Sequence, residues 1–178
     1  MTDFESIRRN LSLDPDGSLT LNGLPMILLP RHFFLYIMEQ VEAVAGPEAL
    51  GRIYRKAGFD GAVTFCRRYA EVHHTQPRAT VAGYLDEMSH RGWGRFEIVA
   101  LDERVGRLEV RLYNSALSSA RLRAPRHEVW VGAMEGAMSY LAESMGRPHA
   151  FAGREIAARA GDPEGACRIH VEATEGAK

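Results

Sequence analysis

The sequence is poor in cysteine: Cys66 and Cys167 are the only two in 178 residues. Two thiols cannot build a disulfide framework, which sets aside the cross-linked secreted scaffolds. A long apolar run is also missing. The run Leu24 to Leu29 is interrupted by Pro25 and falls far short of the roughly 20 residues that span a bilayer. The first ten residues carry two acids and no apolar core of a signal peptide. Charge of one sign is absent too, since 22 Lys and Arg meet 23 Asp and Glu for a formal net charge of −1. That balance removes any global drive towards nucleic acid or anionic lipid. The expectation is a cytoplasmic, reduced protein with neither nucleic acid nor membrane as a direct partner.

The usual signatures of catalysis are lacking as well. His127-Glu128-Val129-Trp130-Val131 begins like a zinc-protease helix, but valine stands where the second histidine belongs. Gly92-Trp93-Gly94-Arg95-Phe96-Glu97 begins like a dinucleotide fingerprint without its last glycine, and it joins a helix to a strand in the wrong order. There is no phosphate loop and no nucleophile elbow. No catalytic residue and no cofactor are therefore expected, and an enzyme is the less favoured class.

What is present is an ordinary globular composition, 46% hydrophobic over 19.8 kDa, enough for one domain that buries about two thirds of its unfolded surface. Residues 1–16 are polar and expected to be a partly flexible N-terminal segment. Leu19–Leu21 and Leu24–Leu29 flank Asn22-Gly23, a hairpin signal. Pro30 opens a helix expected to turn Phe33, Phe34, Ile37, Val41 and Val44 inward. A longer helix follows Gly46-Pro47, with Leu50, Ile53, Tyr54, Ala57, Gly61, Phe65 and Tyr69 along one face, and Gly58 and Gly61 read as helix packing. Pro77 begins a third, with Val81, Tyr84, Leu85 and Met88 buried.

Gly92-Trp93-Gly94 makes a tight link to a strand from Arg95 to Leu101, in which Phe96, Ile98 and Ala100 are expected inward. A partner strand runs from Arg107 to Tyr113, and the charged outer face of this pair is expected to be solvated. The stretch His127 to Ala173 carries the strongest pattern. Trp130, Ala133, Met134, Ala137, Met138, Leu141 and Met145 recur at helical steps, with Gly132 and Gly136 beside them, which implies close approach of another backbone. Strands follow over Ala150–Ala158 and Cys167–Ala173, separated by a turn at Asp162-Pro163-Glu164-Gly165.

The order of that helix, Glu155, Ala160-Gly161-Asp162 and Gly165-Ala166-Cys167-Arg168-Ile169 resembles the C-terminal signature of the 4-vinyl reductase domain family. The resemblance implies an α+β fold of four or so helices packed on a mainly antiparallel sheet, related to the haem-nitric-oxide-binding fold, with residues 17–174 as a single domain. It also implies a small-molecule or hydrocarbon pocket. The run Leu24 to Phe34, with Arg91-Gly92-Trp93-Gly94, is similar to a stand-alone bacterial branch allied to that family, whose members accompany enzymes of dimethylglycine and sarcosine breakdown.

Sensor members of the family hold a metal with one glutamate and three cysteines. Here Glu155 and Cys167 remain, but Ala158 occupies a cysteine position, and no cysteine lies between Trp130 and Phe151. Two ligands do not close a zinc site, so no metal is expected unless His149 or His170 substitutes. The cationic cluster Arg121, Arg123 and Arg126 is read as a solvated loop, and Cys66 as a core residue.

Two function classes follow. One is a sensory or accessory module binding an apolar or aromatic small molecule, in a pocket lined by Trp93 and Trp130 with Phe65, Tyr84, Phe96 and Met134, and with His90 or His32 supplying an orienting hydrogen bond. The other is an assembly subunit that binds a partner protein. A homodimer built on the Gly132 and Gly136 helix or its neighbour is expected. An enzyme accessory to N-methylglycine catabolism ranks third.

Overall fold

The structure is a computed structural model that describes residues 8–118, 121–123, 127–147, 149–156 and 166–174. Three short strands open it: β1 (Leu11–Leu13), β2 (Leu19–Leu21) and β3 (Leu24–Met26), paired antiparallel in that order. The β2–β3 link is the expected hairpin. Asn22 and Gly23 both take positive φ, 51° and 72°, the backbone that a tight two-residue turn between twisted strands requires. β1 falls within the segment 1–16, expected to be partly flexible, and its Leu11-Ser12-Leu13 alternation is only three residues long.

Helices α1 (Arg31–Ala45), α2 (Pro47–His73) and α3 (Pro77–His90) follow, then strands β4 (Arg95–Asp102) and β5 (Arg107–Tyr113), helix α4 (Glu128–Ser144), and strands β6 (Phe151–Ile156) and β7 (Cys167–Ala173). The second sheet has the order β4-β5-β7-β6, antiparallel throughout. The expected α+β arrangement is the one found. Helix α4 lies between α2 and the sheet, and 12 of its 17 residues are buried.

Helix α4 can be buried there because it meets α2 backbone to backbone. A Cβ placed on Gly132 would sit 1.9 Å from the Arg55 carbonyl oxygen, one on Gly136 2.3 Å from that of Phe59, and one on Gly58 2.0 Å from that of Val129. The glycines thus serve packing inside one chain, and α4 is no free surface for a second copy. Arg55 locks the contact: it donates to both carboxylate oxygens of Glu135, at 3.1 and 2.5 Å, to Glu128 at 3.0 Å and to the Gly153 carbonyl at 2.7 Å.

Three facings differ from the sequence expectation. On α1 the buried residues are Leu35, Met38 and Glu42, whereas Phe33, Ile37 and Val44 are exposed. The helix is apolar on more than one side, so periodicity alone could not choose the inner one. On α2 the buried line is Leu50, Gly58, Ala62 and Cys66, because close backbone contact selects small residues over Ile53 and Phe65. On β4 the register shifts between Ile98 and Ala100, so that Ala100 opposes Glu109 and Leu101 opposes Leu108. A bulge of this kind moves the following side chains to the opposite face, which puts Leu101 rather than Ala100 against the core.

The charged sheet face is not simply solvated. Glu109 and Arg168 are buried and ion-paired, and His170, also buried, pairs with Glu172 at 2.6 Å.

Candidate functional site

Two groupings of side chains have the chemistry of a site. The first is aromatic. Gly92 and Gly94 flank Trp93 with φ of 79° and 139°, and a Cβ on Gly94 would lie 2.9 Å from the Tyr113 carbonyl oxygen. Only glycine lets the chain turn so tightly against β5. The turn delivers the Trp93 ring to Trp130 at 5.3 Å between centroids, with Phe34 on its other side at 5.1 Å, while Phe96 meets Trp130 at 5.4 Å. All three contacts are edge-to-face, the favourable arrangement of ring quadrupoles.

Trp130 is 4% exposed, and its indole Nε1 has no hydrogen-bond partner among the described residues. Leaving a buried N–H unpaired costs about 1–3 kcal/mol.

The other named wall residues divide. Phe65 and Tyr84 form a neighbouring ring pair at 5.1 Å, with the Arg91 guanidinium 4.7 Å from the Phe65 centroid. Burial pushes the Tyr84 hydroxyl well above its ordinary pKa. Met134 is fully buried on α4. His32 is exposed on α1 beside Tyr36, and His90 is half-buried at the end of α3. Neither accepts from Trp130. Phe34, absent from the expected wall, joins the cluster through α1, an inter-element contact that sequence spacing does not encode.

The second grouping is polar: it joins Glu155 and Cys167, the two family positions named from the sequence, to His127, which the sequence reading did not include. His127, at the start of α4, places Nδ1 2.9 Å from Glu155 Oε1 on β6 and Nε2 3.1 Å from Ser115 Oγ. Cys167, the first residue of β7, completes a set whose ligand atoms all lie within 4.8 Å of one another. His127 and Cys167 are buried. Burial and the neighbouring Glu155 carboxylate push the Cys167 thiol up to about 12.

One imidazole nitrogen, one carboxylate oxygen and one thiol fit zinc, which binds each at about 2.0–2.3 Å. Atoms sharing such an ion sit within roughly 4 Å of each other, so small side-chain adjustments suffice. His149 contacts Phe151, and His170 pairs with Glu172. Ala158 lies outside the described residues. His127 could have been noticed as an unabsorbed histidine opening the helix, but the protease template asks for a partner one turn along, whereas its partners come from two strands.

The Arg121 and Arg123 backbone amides donate to Glu39 and Glu42 of α1, while Arg126 lies outside the described residues. A separate groove of about 590 Å³ opens where α4 ends against β6 and the β4–β5 turn, over Met138, Leu141, Met145 and Phe151. Among the described residues, no helix is long and apolar enough to cross a membrane.

This arrangement of helices on an antiparallel sheet is shared with solved proteins. The crystal structure of the phenol-responsive sensory domain of the transcription activator PoxR with phenol is 18% identical, with a TM-score of 0.73 over 95% of this chain and 87% of that one. A trafficking protein particle complex subunit 3 from Naegleria fowleri, covalently bound to palmitic acid, is 10% identical, with a TM-score of 0.53 over 82% of this chain and 95% of that one. At these identities the likeness is one of fold. By sequence, residues 8–99, more than half of the chain, match the family described as Domain of unknown function (DUF5943), and the chain belongs to that family. No curated protein matches it.

Proposed function

We propose that this protein is a small-molecule-binding module of sensory or accessory kind, whose ligand is apolar or aromatic and carries a hydrogen-bond acceptor. The observation that carries the reading is the unpartnered Nε1 of Trp130 inside a group of aromatic rings. A ligand oxygen would pair the N–H while its ring replaces an edge-to-face contact, so the donor left unpaired in the free protein becomes binding energy. Trp93 is half-buried and forms the more accessible side of the site. Support comes from the PoxR sensory domain, a protein of like fold whose structure contains phenol. The finer placement belongs to the same proposal: kinship with the 4-vinyl reductase domain, a cytoplasmic setting and an accessory role beside N-methylglycine catabolism.

The test is a titration of phenol, benzoate and indole against the wild type and Trp130→Phe, read by thermal shift and by fluorescence, for which Trp93 remains as reporter. Saturable binding to the wild type, lost in a folded Trp130→Phe, is expected. If no compound binds, or the variant binds equally well, the reading is wrong.

The assembly reading retains one observation of its own. Ile27, Leu28, Phe33, Tyr36, Ile37 and Val44 are 77, 78, 51, 60, 40 and 88% exposed, and Phe33, Ile37 and Val44 share one face of α1. An apolar surface of this kind marks an interaction site, and in this reading it pairs two copies of the chain.

A further inference from the structure

The groove where α4 ends has no part in the aromatic or the polar grouping, and its build is that of a second binding site. Its volume, about 590 Å³, falls in the range that holds a small organic molecule, roughly 300–1,000 Å³. The floor is apolar: Met138 and Leu141 of α4 are each 1% exposed, with Met145 and Phe151 half-buried beside them. Thioether and ring surfaces adapt to an apolar guest and leave no polar group to satisfy. The walls are pinned by backbone bonds, so the groove is formed before any ligand arrives. The Gly106 carbonyl accepts from the Ala173 amide at 2.9 Å, and the Ala150 carbonyl from the Thr174 amide at 2.8 Å. Gly106 has a φ of 67°, and a Cβ on it would lie 2.8 Å from that of Ala173 and 3.2 Å from Phe151 Cε1. The β4–β5 turn therefore closes directly on that wall.

The rim supplies charge. Arg104 in the β4–β5 turn and Arg147 after α4 both line the groove, and among the described residues neither guanidinium has an ion-pair or hydrogen-bond partner. Arg55, Arg67 and Arg168, by contrast, are paired with Glu135, Glu143 and Glu109. Glu103 is the one acid of the lining among the described residues, so two guanidiniums against one carboxylate leave a single positive charge. The end of α4 does not oppose an anion there. With Gly146 at a φ of 68°, the amides of Met145, Gly146 and Arg147 cover the carbonyls of Leu141, Ala142 and Glu143, which mutes the partial negative charge of the helix end.

We infer that this groove binds a small monocarboxylate with an aliphatic or aromatic body. The body lies over Met138, Leu141, Met145 and Phe151, and the carboxylate meets Arg104 and Arg147, because a guanidinium pairs with a carboxylate through two parallel hydrogen bonds. A single net charge suits a monoanion better than a phosphate monoester, which carries nearly two. Trp130 takes no part, so the inference stands apart from the small-molecule reading of the aromatic grouping.

The experiment is isothermal titration of the full chain with octanoate and cinnamate, and with octanamide as the uncharged analogue. Expected is one saturable site per chain for both acids, with octanamide about fivefold weaker or more and the acids weakening as salt rises. Arg104→Gln and Arg147→Gln should each weaken octanoate binding about two- to fivefold, and together about tenfold, the range for partly exposed ion pairs. Both residues are exposed, so these variants should keep the wild-type Tm. Trp130→Phe, which removes the free donor of the aromatic grouping, should leave octanoate binding unchanged. The inference is overturned if neither acid binds, if octanamide binds as tightly as octanoate, or if the double arginine variant binds as the wild type does. Loss of octanoate binding in Trp130→Phe alone would also overturn it, by moving the acid into the aromatic grouping. A dimer broken by the arginine variants would make the occupant a second copy of the chain, with the same consequence.

Discussion

Cys66 and Tyr84 are buried in the same core, on α2 and α3, and neither can ionise there without losing its solvation. Burial raises the Cys66 thiol to about 12, and the Tyr84 hydroxyl is raised by burial and by Cys66 together. In the unfolded chain a thiol releases its proton near 8.5 and a phenol near 10. Between those values and the folded ones, the native state holds more protons than the unfolded state, so stability falls as pH rises. The contribution is intact below about pH 8.5 and is lost between about pH 9 and 12. Thermal melts should therefore show Tm declining through that window. In Cys66→Ala the decline should be shallower, and an unchanged slope would mean that this thiol does not control it.

At the scale of elements, the α2–α4 contact is the one on which the others depend. Gly132 and Gly61 are both helical glycines with opposite roles. An added Cβ at Gly132 would meet the Arg55 carbonyl at 1.9 Å, whereas one at Gly61 meets nothing within 4 Å. Gly132→Ala must push α2 away from α4 and disturb the Arg55–Glu135 pairing. A loss of about 3 kcal/mol or more is expected. Gly61→Ala gains helix propensity with no clash, so it should stabilise by up to about 1 kcal/mol. Urea denaturation of the two variants measures both effects, and equal responses would show that the close approach is not what holds the helices.

For the whole molecule, the exposed apolar residues of α1 and the segment before it bear on assembly. If two copies pair through this face, sedimentation should show a dimer at tens of micromolar. Phe33→Glu with Val44→Glu should convert it to a folded monomer with little change in core packing, because both residues are exposed. A wild type that sediments as a monomer at that concentration would remove the assembly reading and leave α1 as tolerated surface. A dimer that survives the double substitution would move the interface elsewhere, though not to Gly132 and Gly136, which are occupied within the chain.

Legibility in the sequence followed the range of the interaction. The hairpin at Asn22-Gly23, the helix starts after Pro30 and at Pro77, and the last strand from Cys167 to Ala173 rest on local backbone rules, and each stands where its residues announce it. Trp93 and Phe96 each meet Trp130 edge-to-face, a contact between elements that the glycines around Trp93 permit but do not specify. The inner face of α1 was a different matter. Phe33, Ile37 and Val44 satisfy a helical period as well as Leu35 and Met38 do, and only the neighbouring helix chooses between them. The β4 bulge reversed a facing that strict alternation assigned to Ala100. His127 lies 28 residues before Glu155 and 40 before Cys167 in the chain, and no spacing rule links a helix start to two strands. The sequence by itself determined the elements and their order, because propensity, turns and periodicity act over a few residues. Only the tertiary structure decided which faces are buried and which donors converge, because those depend on backbones meeting across the fold.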